Sequence, residues 1–451
     1  MRIRILIVAV ALLATAAPAH ATTAESVRDL TLEQALEMGK KRNKSMVAEQ
    51  ARLEQAQTAL SSAWSLLLPT IAAQGRYTRN YHAFNFPGAV VTDRAGQPVL
   101  VPGEVPDTAM RTPGLLIQPV NQLDGAISFN APLIVPAAYP GLKSVKANIA
   151  ASEANYELSE TNVLYAVAQS FYAAAVSDEV LIARRSNIDV ARATLDNAKT
   201  RLAAGTVTKV DVDRAELALL RAEQQEREAS QGRDQAYRAL ATLIQLDGPF
   251  RAVPPEALGA PPAEQPLENV LKLRPEFRSL DLTAKAADLQ ATTDALKWSP
   301  SLSAFGNARK FNYDNFNRDR YSWAVGLQLD WVIYDGGARD AQRHLADAQE
   351  AEAVARTAVL ADSIRDDLAN GRGLVNTKRQ GVFAATRAVE LAKETIDLVR
   401  TQYEAGTVTQ VDLLGAQDAL VGAQEALAQS RFDLAVADLT LRKTAGTFPP
   451  R

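Results

Sequence analysis

A short stretch of this chain occurs twice, and the two copies divide the sequence into similar halves. The segment AGTVTKVD at 204–211 reappears as AGTVTQVD at 405–412, with one difference between Lys209 and Gln410. Each copy lies between two long segments that are rich in alanine, leucine and glutamate and poor in glycine. Glycine followed by β-branched residues favours a turn over a helix interior. The pattern therefore predicts two long helical hairpins, each with one copy of the motif at its tip.

The motif recurs more completely than a turn requires. Turn chemistry accounts for the glycine and a threonine, but it does not account for the recurrence of Val207, Val210 and Asp211. The two tips are therefore candidate functional sites, and the alternative is that both are only turns.

Apolar residues also recur every seven positions along the helix that precedes each tip. Sustained heptads favour coiled-coil contacts between helices, in a tunnel, a solid bundle or a rod alike. The two series are offset by 201 residues, as are Gly205 and Gly406. The first series is Val167, Ala174, Leu181, Ile188, Leu195 and Leu202, and the second is Leu368, Val375, Val382, Val389, Ile396 and Tyr403.

Each half opens with a short helix and a longer one that stops before a proline, Pro69 or Pro300. A proline cannot continue a helix and disfavours helical geometry in the residue before it. The expected bounds are 30–46 and 47–67 in the first half, and 267–280 and 281–297 in the second.

Two pairs of segments then show strand patterns, at about 70–79 with 125–133 and at about 301–313 with 321–331. In the last of these, apolar residues alternate with polar or small ones, which is typical of a strand in a membrane barrel. A soluble β-hairpin domain is the alternative. Four strands cannot close a barrel alone, so something must cover their edges. The residues expected to face lipid are Trp323, Val325, Leu327, Leu329 and Trp331.

The N-terminus predicts export. Two arginines, an apolar run at 5–17 and the sequence Ala-His-Ala at 19–21 are typical of a signal peptide, with a membrane anchor as the alternative. The expected domains are a signal peptide at 1–21, a first repeat at 22–245 with its long hairpin at about 142–245, a Pro-rich linker at 246–266, a second repeat at 267–447 with its long hairpin at about 337–445, and a C-terminal end at 448–451.

Composition argues against several function classes. The chain has no cysteine, which excludes disulfides and thiolate chemistry, and its net charge of -3 gives no indication of nucleic acid binding. The three histidines, His20, His82 and His344, have no neighbouring histidine at ligand spacing. No nucleotide-binding or hydrolase motif is present. We therefore expect no catalytic residue, no metal and no cofactor.

Together, the duplication, the order of elements and the tip motif resemble the TolC-like outer membrane efflux proteins of Gram-negative bacteria. The resemblance covers essentially the whole chain after the predicted signal peptide. It implies a mainly α fold with a transmembrane β-barrel contribution, built from a duplicated unit of helix, β-hairpin and long helical hairpin. In a homotrimer, four strands from each chain would form one shared 12-strand barrel in the outer membrane. The long helices would form a periplasmic α-helical barrel.

The resemblance also implies a function, which is passive conduction to the exterior in tripartite efflux or type I secretion. The partners would be outer membrane lipid, a periplasmic adaptor protein and an inner-membrane pump. The adaptor would contact the hairpin tips at Gly205, Thr206, Val207, Gly406, Thr407 and Val408.

Aspartates at the tips would line a periplasmic gate. Asp412 matches a ring aspartate of the family, Asp211 is its repeat equivalent, and Asp213 lies beside the latter. The family's second ring aspartate falls on Gly415 here, which puts that ring in doubt. The alternative role for Asp211 and Asp412 is stabilisation of a helix N-terminus.

Two other classes of protein remain possible from sequence. A periplasmic adaptor would normally have one hairpin, flanked by soluble β-domains. A structural coiled-coil protein of the envelope would lack the strands and the duplicated tip. The sequence does not indicate what is transported.

Overall fold

The structure is a computed structural model that describes residues 27–86, 91–92, 98–99, 115–255, 258–313 and 319–449. The predicted signal peptide at 1–21 and the last two residues of the expected C-terminal end lie outside the described residues. The described chain forms two compact units. One contains 27–43, 163–260 and 375–439, and the other contains 44–162, 261–374 and 440–449.

The first half of the chain begins with a short strand, two helices and a strand, and it ends in a long helical hairpin. Its elements are β1 (Arg28–Thr31), α1 (Leu32–Arg42), α2 (Lys44–Ser65), β2 (Thr70–Arg79), β3 (Phe84–Phe86), β4 (Val91–Thr92), β5 (Pro98–Val99), β6 (Leu115–Gln118), β7 (Asn121–Ile134), α3 (Ala138–Ala203) and α4 (Lys209–Ile244).

The second half repeats this order without the small strands. Its elements are β8 (Phe250–Val253), α5 (Leu267–Leu273), α6 (Pro275–Leu296), β9 (Ser301–Phe311), β10 (Tyr321–Asp330), α7 (Ala338–Glu404) and α8 (Gln410–Thr444). The mainly helical fold class with paired strands is confirmed. No helix in the described part of the chain combines the length and hydrophobicity needed to cross a membrane.

The breaks between the short and the longer helix of each half fall earlier than the expected boundaries at 46–47 and 280–281. The first break is at Asn43, whose extended backbone is accompanied by a hydrogen bond from its side-chain amide to the carbonyl of Leu243 (2.9 Å). The second is at Arg274, also extended, because Pro275 follows it and disfavours helical geometry there.

The four long strands form one antiparallel sheet in the order β10-β9-β7-β2. Trp323 of β10 lies opposite Ala308 of β9, which in turn lies opposite Ile127 of β7. Within the described part of the chain, β2 and β10 each pair on one side only. The sheet therefore ends in two open edges.

The segment between the repeats contains a strand, β8, that the sequence interpretation missed. β8 pairs in parallel with β1, and Leu30 and Ala252 of the two strands are buried. The hydroxyl of Tyr237 accepts from the backbone N–H of Ala252 (3.2 Å) and donates to Asp178 of α3 (2.5 Å). Burial and this hydrogen bond raise the pKa of Tyr237 to about 12. This residue thus joins α4 to both α3 and β8.

A tight turn after α8 packs its glycine against α5. Gly446 has φ +69°, and a Cβ atom there would lie 2.7 Å from the Cβ of Leu273. We expect Gly446→Ala to lower the free energy of unfolding by about 2 kcal/mol or more, because it adds backbone strain to a steric overlap. Thermal unfolding followed by circular dichroism would measure the effect.

Gly422→Ala is the matched control. Gly422 lies inside α8, where an added Cβ would meet no atom within 4 Å. Its replacement should be neutral or stabilise the helix by up to about 1 kcal/mol. Equal effects of the two substitutions would contradict the packing role of Gly446.

Candidate functional site at the hairpin tips

The helices that precede the two tips, α3 and α7, end in the same glycine-dependent turn. Gly205 has φ +75° and Gly406 has φ +76°, a left-handed conformation that favours glycine. After α3, Gly205 N–H donates to Leu202 (2.9 Å) and Thr206 N–H donates to Arg201 (2.9 Å). After α7, Gly406 N–H donates to Tyr403 (3.1 Å) and Thr407 N–H to Gln402 (3.0 Å). Each pair of bonds satisfies carbonyls that the helix end leaves free, as in a Schellman motif.

The helices that follow the two tips, α4 and α8, begin with the same threonine–aspartate cap. The Asp211 carboxylate accepts the backbone N–H (3.0 Å) and the hydroxyl (2.7 Å) of Thr208. Asp412 does the same with Thr409, at 2.9 Å and 2.6 Å. The side-chain hydrogen bond is the main reason why the pKa of each aspartate lies below its usual value. Helix capping therefore accounts for the recurrence of both aspartates.

The rest of each tip is open to solvent. Gly205, Thr206, Gly406 and Thr407 are exposed, whereas Val207 and Val408 are half-buried. Val408 packs against a cluster formed by α7 and α8: Ile396, Tyr403, Leu413 and Ala416.

Each tip has one further exposed valine. Val210 and Val411 occupy equivalent positions in the first turn of α4 and α8, and each is 54% exposed. Capping does not require them.

The two tips differ in charge. Arg214 lies 3.8 Å from Asp211, whereas the equivalent of Arg214 after the second tip is Gly415. Among the described residues, Asp412 has no cationic partner. Asp213 is exposed, and its equivalent is Leu414.

Arg201 joins the two hairpins beside their tips. Its guanidinium donates to the carbonyls of Tyr403 (3.2 Å) and Glu404 (3.3 Å), at the end of α7. It also lies over the Tyr403 ring, 4.6 Å from the centroid. A cation at a helix C-terminus is favourable, and the ring adds a cation–π contact. The sequence interpretation missed Arg201, because its equivalent in the other copy is Gln402 and the repeat gives no signal.

Two polar links between the hairpins lie further from the tips. Gln417 of α8 donates to the Thr194 hydroxyl of α3 (3.0 Å), and both side chains are buried. Arg184 of α3 forms an ion pair with Glu425 of α8. Separation of the hairpins would break these links as well as those of Arg201.

Four of the five predicted lipid-facing residues lie along β10. Trp323, Val325, Leu327 and Leu329 alternate along the strand, and all are exposed. The strand ends at Asp330, so Trp331 follows it directly. The indole N–H of Trp331 donates to the carbonyl of Trp298 (3.1 Å). Within the residues described, no group of histidines and acidic residues is arranged to hold a metal ion.

The chain matches the family model for outer membrane efflux proteins over residues 35–245 and 267–447, and it therefore belongs to that family. It is 24% identical over 358 residues to the outer membrane efflux protein BepC of Brucella suis, which covers 76% of this chain and 74% of BepC. It is 28% identical over 165 residues to TolC of Escherichia coli, a match that covers 36% of this chain and 32% of TolC.

The fold is also that of a solved channel. The CmeC outer membrane channel of Campylobacter jejuni superposes with a TM-score of 0.74, covering 92% of this chain and 85% of that one, at 16% identity. Taken with the family membership, the fold identifies this chain as an outer membrane channel of an efflux system. The adaptor and structural coiled-coil alternatives are thereby set aside.

Proposed function

We propose that three copies of this chain form a channel that passively conducts substrates out of the cell. The observation that carries this proposal is the four-stranded sheet with two open edges, β2 and β10. An open sheet edge in a bilayer leaves backbone groups unsatisfied, and only closure removes both edges. Pairing β10 of one chain with β2 of the next would close 12 strands from three chains.

The hairpin tips are proposed as the contact for a periplasmic adaptor. Gly205, Thr206, Gly406 and Thr407 allow close backbone approach, while Val207 and Val408 add apolar surface beside them. Exposed Val210 and Val411 enlarge that surface. An inner-membrane pump would supply the energy through the adaptor. The chain itself is expected to carry no catalysis and no cofactor.

The same tips are proposed to close the channel. Three copies of Asp412 around an axis would place uncompensated carboxylates close together. Such a ring repels itself and attracts cations. Asp211 and Asp213 would contribute further charge, although Arg214 compensates part of it at 3.8 Å from Asp211.

Asp412→Ala should weaken block of the channel by multivalent cations about tenfold or more, because it removes three carboxylates from one ring. Block is measured as current inhibition in planar bilayers. Asp412→Asn keeps an oxygen that can cap Thr409 but removes the charge. Weak block in both variants supports the ring. Block at the wild-type level in the Asn variant would leave Asp412 with a capping role alone.

The trimer itself can be tested directly. Detergent-solubilised protein should have the mass of three chains and appear in negative stain as a threefold hollow cylinder. A monomer that needs no detergent would overturn the proposal.

A further inference from the structure

The register of the sheet separates its side chains into two faces of different chemistry. Residues directly opposite each other in an antiparallel sheet share a face. One face carries Trp323 and the aliphatic residues of β10 together with Ala308, Ile127 and Ala73, and near one end it carries Lys310 and Arg79. The other face is mainly polar or small, apart from Phe305 and Phe311 of β9. Its polar members include Gln74, Ser128, Asn130, Ser303, Asn307 and Gln328.

At one end of the polar face, the positive charges outnumber the negative ones. Among the strand residues described, this face carries Arg76, Asp124, Arg309 and Asp330. Arg309 lies 3.7 Å from Asp124, whose carboxylate also accepts from Gln122 (2.9 Å) and from the Tyr313 hydroxyl (2.9 Å). One carboxylate is therefore held by one arginine and two neutral donors.

Arg76 is the second cation at this end. It lies opposite Asp124 in the register and is exposed, and it forms no ion pair with any described residue. One positive charge per chain thus remains uncompensated beside the Asp124–Arg309 pair.

The cross-strand partners of Arg76 show at which end of the sheet it lies. Asp124, its partner, lies opposite Phe311, the last residue of β9. Asp330 is the last residue of β10, nine residues from Tyr321 at the other end of that strand, or roughly 30 Å along it. Arg76 is therefore at the end where β9 turns into β10. Asp330 is at the end that leads into α7.

We propose that Arg76 forms a ring of three positive charges at the outer end of the pore and that this ring favours anionic solutes. The inference rests on the trimeric barrel of the proposed function, with the polar face lining the pore and the β9–β10 turn outside. Rings of charged side chains set the charge preference of pores. Because conduction is passive, the ring acts on the local concentration and permeability of anions, not on energy supply.

Ion selectivity tests this assignment. The reversal potential is measured in planar bilayers under a gradient of potassium chloride. Arg76→Gln should lower the chloride-to-potassium permeability ratio roughly two- to fivefold, and Arg76→Glu should lower it further. Arg79→Gln is the matched control, because Arg79 lies three residues along the same strand, is exposed and belongs to the opposite face.

A second measurement adds the charge only after the channel has folded and inserted. The chain has no cysteine, so Arg76→Cys would provide a single thiol. Inserted channels are treated with a cationic and, separately, an anionic thiol-specific methanethiosulfonate. The cationic reagent should raise the chloride-to-potassium ratio of the cysteine variant and the anionic reagent should lower it.

The outcomes separate the two proposals. Conducting Arg76→Glu channels with the wild-type reversal potential, or an equal shift in Arg79→Gln, would overturn the ring. Failure of the wild-type protein to form trimers or to conduct would refute the proposed function instead.

Discussion

Replacing Gly406 by tryptophan is expected to abolish export while trimers still form. A Cβ atom at Gly406 would meet no other atom of the chain within 4 Å, and the residue is exposed, so a larger side chain can extend into solvent. The cost inside the chain is the left-handed backbone, about 1–2 kcal/mol for a residue with a side chain. What the ring does obstruct is close approach of a second backbone to the tip, and we propose that the adaptor makes this approach.

Export would be measured as complementation of a strain that lacks the chain but retains its adaptor and pump. Gly406→Asn is the control, because asparagine tolerates the left-handed conformation without the bulk of an indole. We expect export to fall to the level of the deletion strain in the Trp variant and to stay near the wild-type level in the Asn variant. Normal export through Gly406→Trp trimers would argue against docking at this tip.

Arg201→Ala is expected to raise the basal conductance of the channel. Arg201 donates to two carbonyls at the end of α7 and lies over the Tyr403 ring, so its removal loosens one hairpin from the other. Charge-assisted hydrogen bonds contribute about 1.5–3 kcal/mol, which would shift an equilibrium between joined and separated tips by about ten- to a hundredfold.

The second tip also contains polar atoms that the joined arrangement does not satisfy. The amide of Gln410 and the hydroxyl of Tyr403 are buried and have no hydrogen-bond partner among the described residues. Such groups cost about 1–3 kcal/mol each. Arg201 thus holds together an arrangement in which part of the tip is already unfavourable.

Single-channel recording in planar bilayers would measure the basal conductance. Arg185→Ala is the matched control, because Arg185 lies on the same helix and pairs with Glu226 of α4, inside one hairpin (3.1 Å). It should leave conductance unchanged. If both variants behave like the wild type, the Arg201 contacts do not keep the tips together.

The heptads and the tips could be predicted from sequence because both depend on local patterns. Nine of the twelve heptad residues are buried, whereas Ile188 and Val382 are half-buried and Leu202, next to the first tip, is exposed. The capping role of Asp412 could also have been predicted, because its partner is a threonine three residues earlier in the sequence. Capping explains why the aspartate recurs in both tips, which had suggested a functional role. The proposed gate must therefore be tested with variants that change the charge of Asp412.

What could not be predicted depends on partners far along the chain. Arg201 contacts Tyr403, and β1 pairs with β8, yet no local pattern indicates either pairing. The four-residue strand β8 lies among prolines and glycines that favour a linker. The helix break at Arg274, in contrast, could have been found, because Pro275 announces it.

The parallel pairing of β1 with β8 has a consequence for the order of folding. Arg28 pairs with Phe250, so the first strand has no partner until 222 further residues (250 − 28) have left the membrane translocation machinery. The hairpin of α3 and α4 closes over a five-residue turn and needs no such delay. We expect the hairpin to form first and the β1–β8 joint to close over it later. The first repeat is therefore complete once β1 has paired with β8, before most of the second repeat has been exported.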